Sequence, residues 1–241
     1  MEKTGIKTSL KRTGALLPCL LLCILVLAGC GRSLVITTGF RHGEVFRLGK
    51  EKCRIAEMKV YLLDLQKQSE AMYGDAIWES EAKEDLQQAV KDQALAQLTR
   101  VKALKSMGVS MNIMLTNEEE DLAAAARNKY FAALSQEEKK YIGLDEKKIL
   151  KVFEDYALAE RMWKSFGDSA LQEYEKFFEK TQCDLNIKYW QKVSLKKIEG
   201  DPQAPGFIEC CEEQFAKDRA FLTEETEEDG AEGSTAAAAG E

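Results

Sequence analysis

Apolar positions recur along most of this chain at three- and four-residue steps, the period of an amphipathic helix. The longest such run lies between Ser80 and Met107, where no proline occurs and Leu86, Val90, Ala94, Leu98 and Val101 form one stripe among Lys, Glu, Asp and Gln. At ~1.5 Å per residue this predicts a rod roughly 42 Å long, closed by Gly108. Ahead of it, Ala56 to Tyr73 predicts a shorter helix with Met58, Leu62, Leu65 and Met72 on one face and Gly74 as its stop. Behind it, Thr116 with Glu119 and Ser135 with Glu138 have capping-box spacing, each pair satisfying backbone N–H groups that a first helical turn leaves free. The first box opens a helix with Leu122, Ala126, Tyr130 and Leu134 on one side. Asp145 is placed to cap a helix to about Phe166, whose Ile149, Val152, Phe153, Tyr156, Met162 and Trp163 make the most apolar face of the chain. Such a face must be covered, and the stripe of the rod is its expected partner. Gly167 breaks that helix, and Asp168 is expected to cap the next, which carries Leu171, Tyr174, Phe177 and Phe178.

A shorter period appears at two places. Between Gly31 and Ile55, Leu34 to Thr38 is β-prone, Glu44 to Leu48 alternates and Gly49 to Lys52 turns into Cys53, which predicts a small hairpin with His42 between its arms. From Asp184 to Leu195, Leu185, Ile187, Tyr189, Val193 and Leu195 alternate with polar residues, interrupted at Gln191, which predicts one strand or two short ones. A strand cannot leave its edge groups unpaired, so a small sheet should join the N-terminal hairpin to the C-terminal strand. Asp201 to Gly206 is a loop, Phe207 to Leu222 a last amphipathic helix, and Thr223 to Glu241 an acidic, Ala/Gly-rich tail expected to be disordered. The fold class expected is mainly α, with one long helix and a small β-sheet.

The first 29 residues change the picture. A basic start is followed by an apolar run from Ala15 to Leu27, shorter than the ~20 residues that cross a bilayer as a helix. Leu27-Ala28-Gly29-Cys30 then matches the lipobox of bacterial lipoproteins, in which the cysteine thiol is diacylglycerated and becomes the new N-terminus. That match implies a signal peptide over 1–29 and lipidation at Cys30, whose acyl chains would hold the protein on a membrane surface. The expected organisation is then a helical domain with its sheet over 30–200, the C-terminal helix over 201–222 and the tail over 223–241. The whole chain of 241 residues carries a net charge of −7. Glu224, Glu225, Glu227, Glu228, Asp229, Glu232 and Glu241 of the tail have no basic partner beside them. With no basic face and no aromatic-plus-basic platform, nucleic acid is not an expected partner. Once Cys19 and Cys23 leave with the signal, Cys53, Cys183, Cys210 and Cys211 permit two disulfides or none, and no CxxC occurs.

The order of these elements resembles a family. A lipobox precedes Glu44-Val45-Phe46-Arg47-Leu48-Gly49, a helix and a rod containing Val90 to Leu98. Leu115-Thr116-Asn117-Glu118-Glu119, Ala123 to Phe131 and the break at Leu134 to Glu138 follow. This is similar to the N-terminal chaperone region of PrsA-type foldase lipoproteins and SurA-type chaperones, over roughly residues 36 to 166. The resemblance implies a helical region that cradles unfolded polypeptide beside a parvulin domain that isomerises prolyl bonds. A parvulin domain needs a histidine pair and a glycine-rich segment. The chain has one histidine, His42, and no such segment, so isomerase activity is not expected.

The function expected is therefore a membrane-tethered, extracytoplasmic chaperone that binds unfolded or nascent secreted polypeptides in an apolar helical groove. Met58, Leu62, Met107, Met111, Met114, Tyr130, Phe153, Tyr156 and Trp163 are the candidate lining, because flexible thioethers and aromatic rings adapt to many sequences. The alternative is a structural or adaptor lipoprotein that pairs with itself, as a homodimer, or joins an envelope complex through the same stripes. An enzyme is a third reading with little behind it. Glu118/Glu119 and Glu137/Glu138 sit at helix starts, where they favour the helix dipole. A Ser/His/Asp set would depend on His42, and no phosphate loop, HExxH or EF-hand pattern occurs, so neither a metal nor a cofactor is expected.

Overall fold

The computed structural model describes residues 39–80, 83–195 and 197–216, all within one compact unit, Val35–Glu241. The leader with Cys30, the 34–38 segment, the last helix beyond residue 216 and the acidic tail lie outside the described residues.

Strands β1 (Glu44–Leu48), β2 (Glu51–Arg54) and β3 (Cys183–Leu185) form an antiparallel sheet in the order β2-β1-β3. The sheet thus joins N-terminal to C-terminal chain, as expected, with two corrections. The hairpin consists of β1 and β2, turned at Gly49 (φ 56°), so His42 lies in an exposed turn before β1 and not between the arms. The strand expected over Asp184 to Leu195 ends at Leu185 because Asn186 intervenes. Its backbone N–H donates to Val45 O (2.8 Å) and its Nδ2 to Glu44 O (3.0 Å), at the bulge between Glu44 and Phe46, while its Oδ1 accepts from Tyr189 N (3.3 Å). One residue thereby closes the sheet and caps a single helical turn, Ile187–Trp190.

The helices are α1 (Ile55–Tyr73), α2 (Lys83–Ser110), α3 (Asn117–Ala133), α4 (Gln136–Ile142), α5 (Glu146–Ser165), α6 (Ala170–Lys180), α7 (Ile187–Trp190) and α8, helical over 207–216. Both capping boxes are formed, and Asp145 accepts from Lys148 N. Asp168 caps nothing; it lies inside the 3-10 turn Gly167–Ser169, which leads directly into α6. The rod passes through Gly108 and stops two residues later. Asn112, at φ 55°, takes the left-handed position, and Ile113 N–H donates to Gly108 O (2.9 Å) while Asn112 N–H donates to Val109 O (3.2 Å), which is a Schellman closure. Gly108 instead lets two helices approach: a Cβ there would stand 3.0 Å from Met162 Cγ on α5.

The most extensive helix contact is α2 with α5, as the two apolar faces predict. Val90, Ala94, Leu98 and Val101 of the rod are buried, so its stripe is not left open. Met72, placed by its spacing on the buried face of α1, is 55% exposed in the helix's last turn. The most enclosed helix is α1, in which every side chain from Val60 to Lys67 is buried. It is packed by the sheet, α2 and α4, and Tyr61 meets Phe207 of α8 at 4.9 Å between ring centroids.

Candidate functional site

The nine candidate lining residues separate into three groups, five buried, two half-buried and two exposed. Met58, Leu62, Met107, Tyr130 and Phe153 are buried and belong to the core. Tyr130 and Phe153 sit 5.6 Å apart, and Phe153 and the half-buried Tyr156 both meet Phe207 at 5.1 Å, in edge-on or tilted arrangements. These rings close on one another around Phe207, so they do not line a groove. Trp163 is half-buried under Arg100, whose guanidinium carbon lies 4.0 Å from the ring centroid. Only Met111 and Met114 stand out from the surface, at 53% and 74% exposure. Val109 beside them is 60% exposed, and Ile113 and Leu115 are half-buried. The Schellman closure at Asn112 is what turns this segment out from the end of α2.

Two clefts flank the amino end of α1. One, of about 790 Å³, has Ile55, Tyr141, Tyr189, Val193 and Ile198 as its apolar wall, with Lys59, Lys140, Lys192 and Lys197 at its edges. Lys59 Nζ donates to Tyr141 O (2.7 Å) and lies 4.7 Å from the Tyr141 ring centroid, which fixes that wall. Burial raises the Tyr141 phenol to about 12, so it remains a hydrogen-bond donor at neutral pH. The other, of about 490 Å³, lies between β2, the first turn of α1, α2 and the start of α5. Its floor is an ion network: Lys102 bridges Glu57 and Asp155, with Nζ 3.0 Å from Asp155 Oδ2, and Lys105 joins Asp155 (3.1 Å) to Glu51 (2.9 Å). Burial works to raise the Asp155 carboxyl, but the charges of Lys102, Lys105 and Lys151 outweigh it and hold the group below its usual value. Glu57 is the weaker partner; burial raises it despite Lys102.

Sequence patterns did not reveal a second buried polar system, beneath the 199–206 segment. Asp64 Oδ1 accepts from Phe207 N (2.6 Å) at the start of α8, and its Oδ2 accepts from Gln68 Nε2 (2.9 Å). Lys67 Nζ lies 3.0 Å from Glu138 Oε1, at ion-pair distance though off the hydrogen-bond axis. Gly200 and Gly206 fit against these two carboxylates, since a Cβ at either would overlap Glu138 or Asp64. The available signal was the density of apolar residues from Val60 to Leu65, too many for one stripe; a helix so placed buries its polar positions too.

Cys53, Cys183, Cys210 and Cys211 are free thiols. Burial raises Cys183 and Cys210 to about 11 and lifts Cys53 and Cys211 above the ordinary thiol range, so none is poised as a nucleophile. Among the described residues no group of three or more His, Cys, Asp or Glu is arranged to hold a metal, and no helix is long and apolar enough to cross a membrane. Compared with known proteins, the chain matches no family model, no curated protein and no solved structure.

Proposed function

We propose that this chain is a membrane-tethered, extracytoplasmic polypeptide-binding protein of chaperone type, acting without covalent chemistry. The observation that carries the reading is the exposed segment Val109 to Met114, in which three large apolar side chains, two of them thioethers, stand clear of the core, a larger group than Met72 and Tyr73 at the end of α1 or Leu171 on α6. Unbranched, polarizable methionines conform to many apolar sequences, which suits a binder of unfolded chain better than a site for one rigid partner. Glu118, Glu119, Glu120 and Asp121 open the next helix, so a captured apolar segment would lie beside solvated charge. The lipobox at Leu27 to Cys30 supports the tether, and the PrsA- and SurA-like order of elements supports the client class. The candidate surface has moved from a groove between helices to the tip of the rod.

The test is light scattering from a chemically unfolded client with the chain beginning at Gly31. Aggregation should be suppressed near stoichiometric ratios, and Met111→Ser with Met114→Ser should abolish suppression while circular dichroism and melting temperature stay unchanged. Equal suppression by that double variant would remove the tip from the reading. No suppression at several-fold excess, together with concentration-dependent mass, would transfer the tip to self-association.

A further inference from the structure

The cleft between β2 and α5 is positively charged in a chain whose net charge is −7. Its lining carries six cationic side chains against three carboxylates, Glu51, Glu57 and Asp155, and Lys102 and Lys105 by themselves engage all three. The surplus is at the rim. On β2, Lys52 and Arg54 are exposed on one face of the strand while Cys53 points into the core, and neither makes an ion pair among the described residues. Across the cleft, Lys148 and Lys151 lie one helical turn apart on α5. They pair with Asp145, Glu154 and Asp155, yet their side chains are 67% and 62% exposed. The pairs Lys148–Asp145 and Lys151–Glu154 are open to solvent, contribute little and exchange readily for a stronger anion, while the buried Asp155 keeps Lys102 and Lys105 as partners when Lys151 turns outward.

We propose that this cleft binds a phosphate group, with Lys52 and Arg54 on one wall and Lys148 and Lys151 on the other. A multiply charged tetrahedral anion draws on both walls at once, whereas a single carboxylate would satisfy one. The Arg54 guanidinium offers the planar fork that pairs two phosphate oxygens, and the lysines act as adjustable point charges around it. A volume of about 490 Å³ suits a small phosphorylated molecule. The acidic surroundings disfavour a long polyanion such as nucleic acid. The phosphate could come from a free di- or polyphosphate or from a phosphomonoester such as a lipid headgroup.

The experiment is thermal unfolding and calorimetric titration of the full chain in a zwitterionic detergent. The probes are inorganic pyrophosphate and glycerol 1-phosphate, with sodium sulfate at matched ionic strength as the control. At least one phosphate probe should bind saturably and raise the melting temperature where sulfate does not. Lys52→Ala with Arg54→Ala should weaken binding at least tenfold at an unchanged ligand-free melting temperature. Lys148→Ala with Lys151→Ala is the second variant should the first fold poorly. Lys192→Ala with Lys197→Ala, in the other cleft, should bind normally. Saturation by pyrophosphate alone assigns a diphosphate, and saturation by glycerol 1-phosphate assigns a monoester. Equal responses to sulfate, or equal binding by both rim variants, would overturn the site.

Discussion

Asp64 shows how one carboxylate can hold a terminus and weaken the fold that uses it. Its oxygen caps α8 from a different helix, a role usually filled by a residue next to the helix start. Burial raises its carboxyl to about 6, against the backbone bonds at Phe207 and Ile208, the charge of Lys67 and the bond from Gln68, all of which favour ionisation. The sign follows from linkage. The folded state binds this proton more tightly than the unfolded one, so the contribution of Asp64 to stability falls as pH rises from about 4 to about 6. Above that window the cost of the buried charge is fully present, at roughly 3 kcal/mol for a shift of about two units. Asp64→Asn keeps an acceptor for the Phe207 N–H without the charge. It should be more stable than the parent by about 1–3 kcal/mol at pH 8, with the gap closing towards pH 4. Urea unfolding of both proteins across that range measures it, and a variant less stable than the parent at pH 8 would show that the charge itself holds the cap.

At the scale of elements, the clearest structure to read was the local kind. The capping boxes at Thr116 and Ser135 and the cap at Asp145 depend on residues three apart, so pattern and geometry agree there. Exchange between helices was not legible. Gly108 has the composition of a stop signal, but its backbone is helical and its missing side chain is filled by Met162 and Leu158. Asn112 closes the rod instead, since asparagine tolerates the left-handed region better than most residues. Asn186 ended β3 for a related reason: its cap to Tyr189 is local, but its two bonds to Glu44 and Val45 of β1 join chain that no local pattern contains. In the candidate site, the exposed Met111 and Met114 were readable as adaptable apolar residues. The aromatic cluster that Phe153 forms with Tyr61 and Tyr156 was not, because its centre, Phe207, arrives from the far end of the chain. Gly108→Val tests the reassigned glycine. A left-handed stop would also resist valine, through backbone strain that no change at Met162 relieves, whereas a close crossing should lose about 1–3 kcal/mol from overpacking against the buried Met162. Chemical denaturation gives the value, and Met162→Ala in the same chain should recover part of it by making room.

Across the whole molecule, the C-terminal chain completes what the N-terminal chain begins. Phe46 pairs with Leu185 in the sheet, and Phe207, Cys210 and Cys211 of α8 fill the core beside Tyr61 and Phe153. The helices between them make mostly nearer contacts, α2 with α5 and α3 with α5, so a helical body can gather before the ends meet. That order predicts two different responses to damage at one place. Phe207→Ala leaves α8 attached and should cost about 3–5 kcal/mol while unfolding stays cooperative. A chain ending at Gly206 loses Phe207, both cysteines and Phe215 together, a loss comparable with the ~5–15 kcal/mol that a domain has in total. It should retain its far-ultraviolet helical signal but lose near-ultraviolet aromatic structure and its sharp melting transition, as a collapsed body without fixed packing does. Circular dichroism in both regions during one thermal scan separates the cases. A truncated chain that still melts cooperatively would mean the helical body is stable alone and α8 only covers it. Exposure of Tyr61 and Phe153 in that body would then add a second apolar surface to the methionine tip, and client binding should rise on truncation instead of being lost.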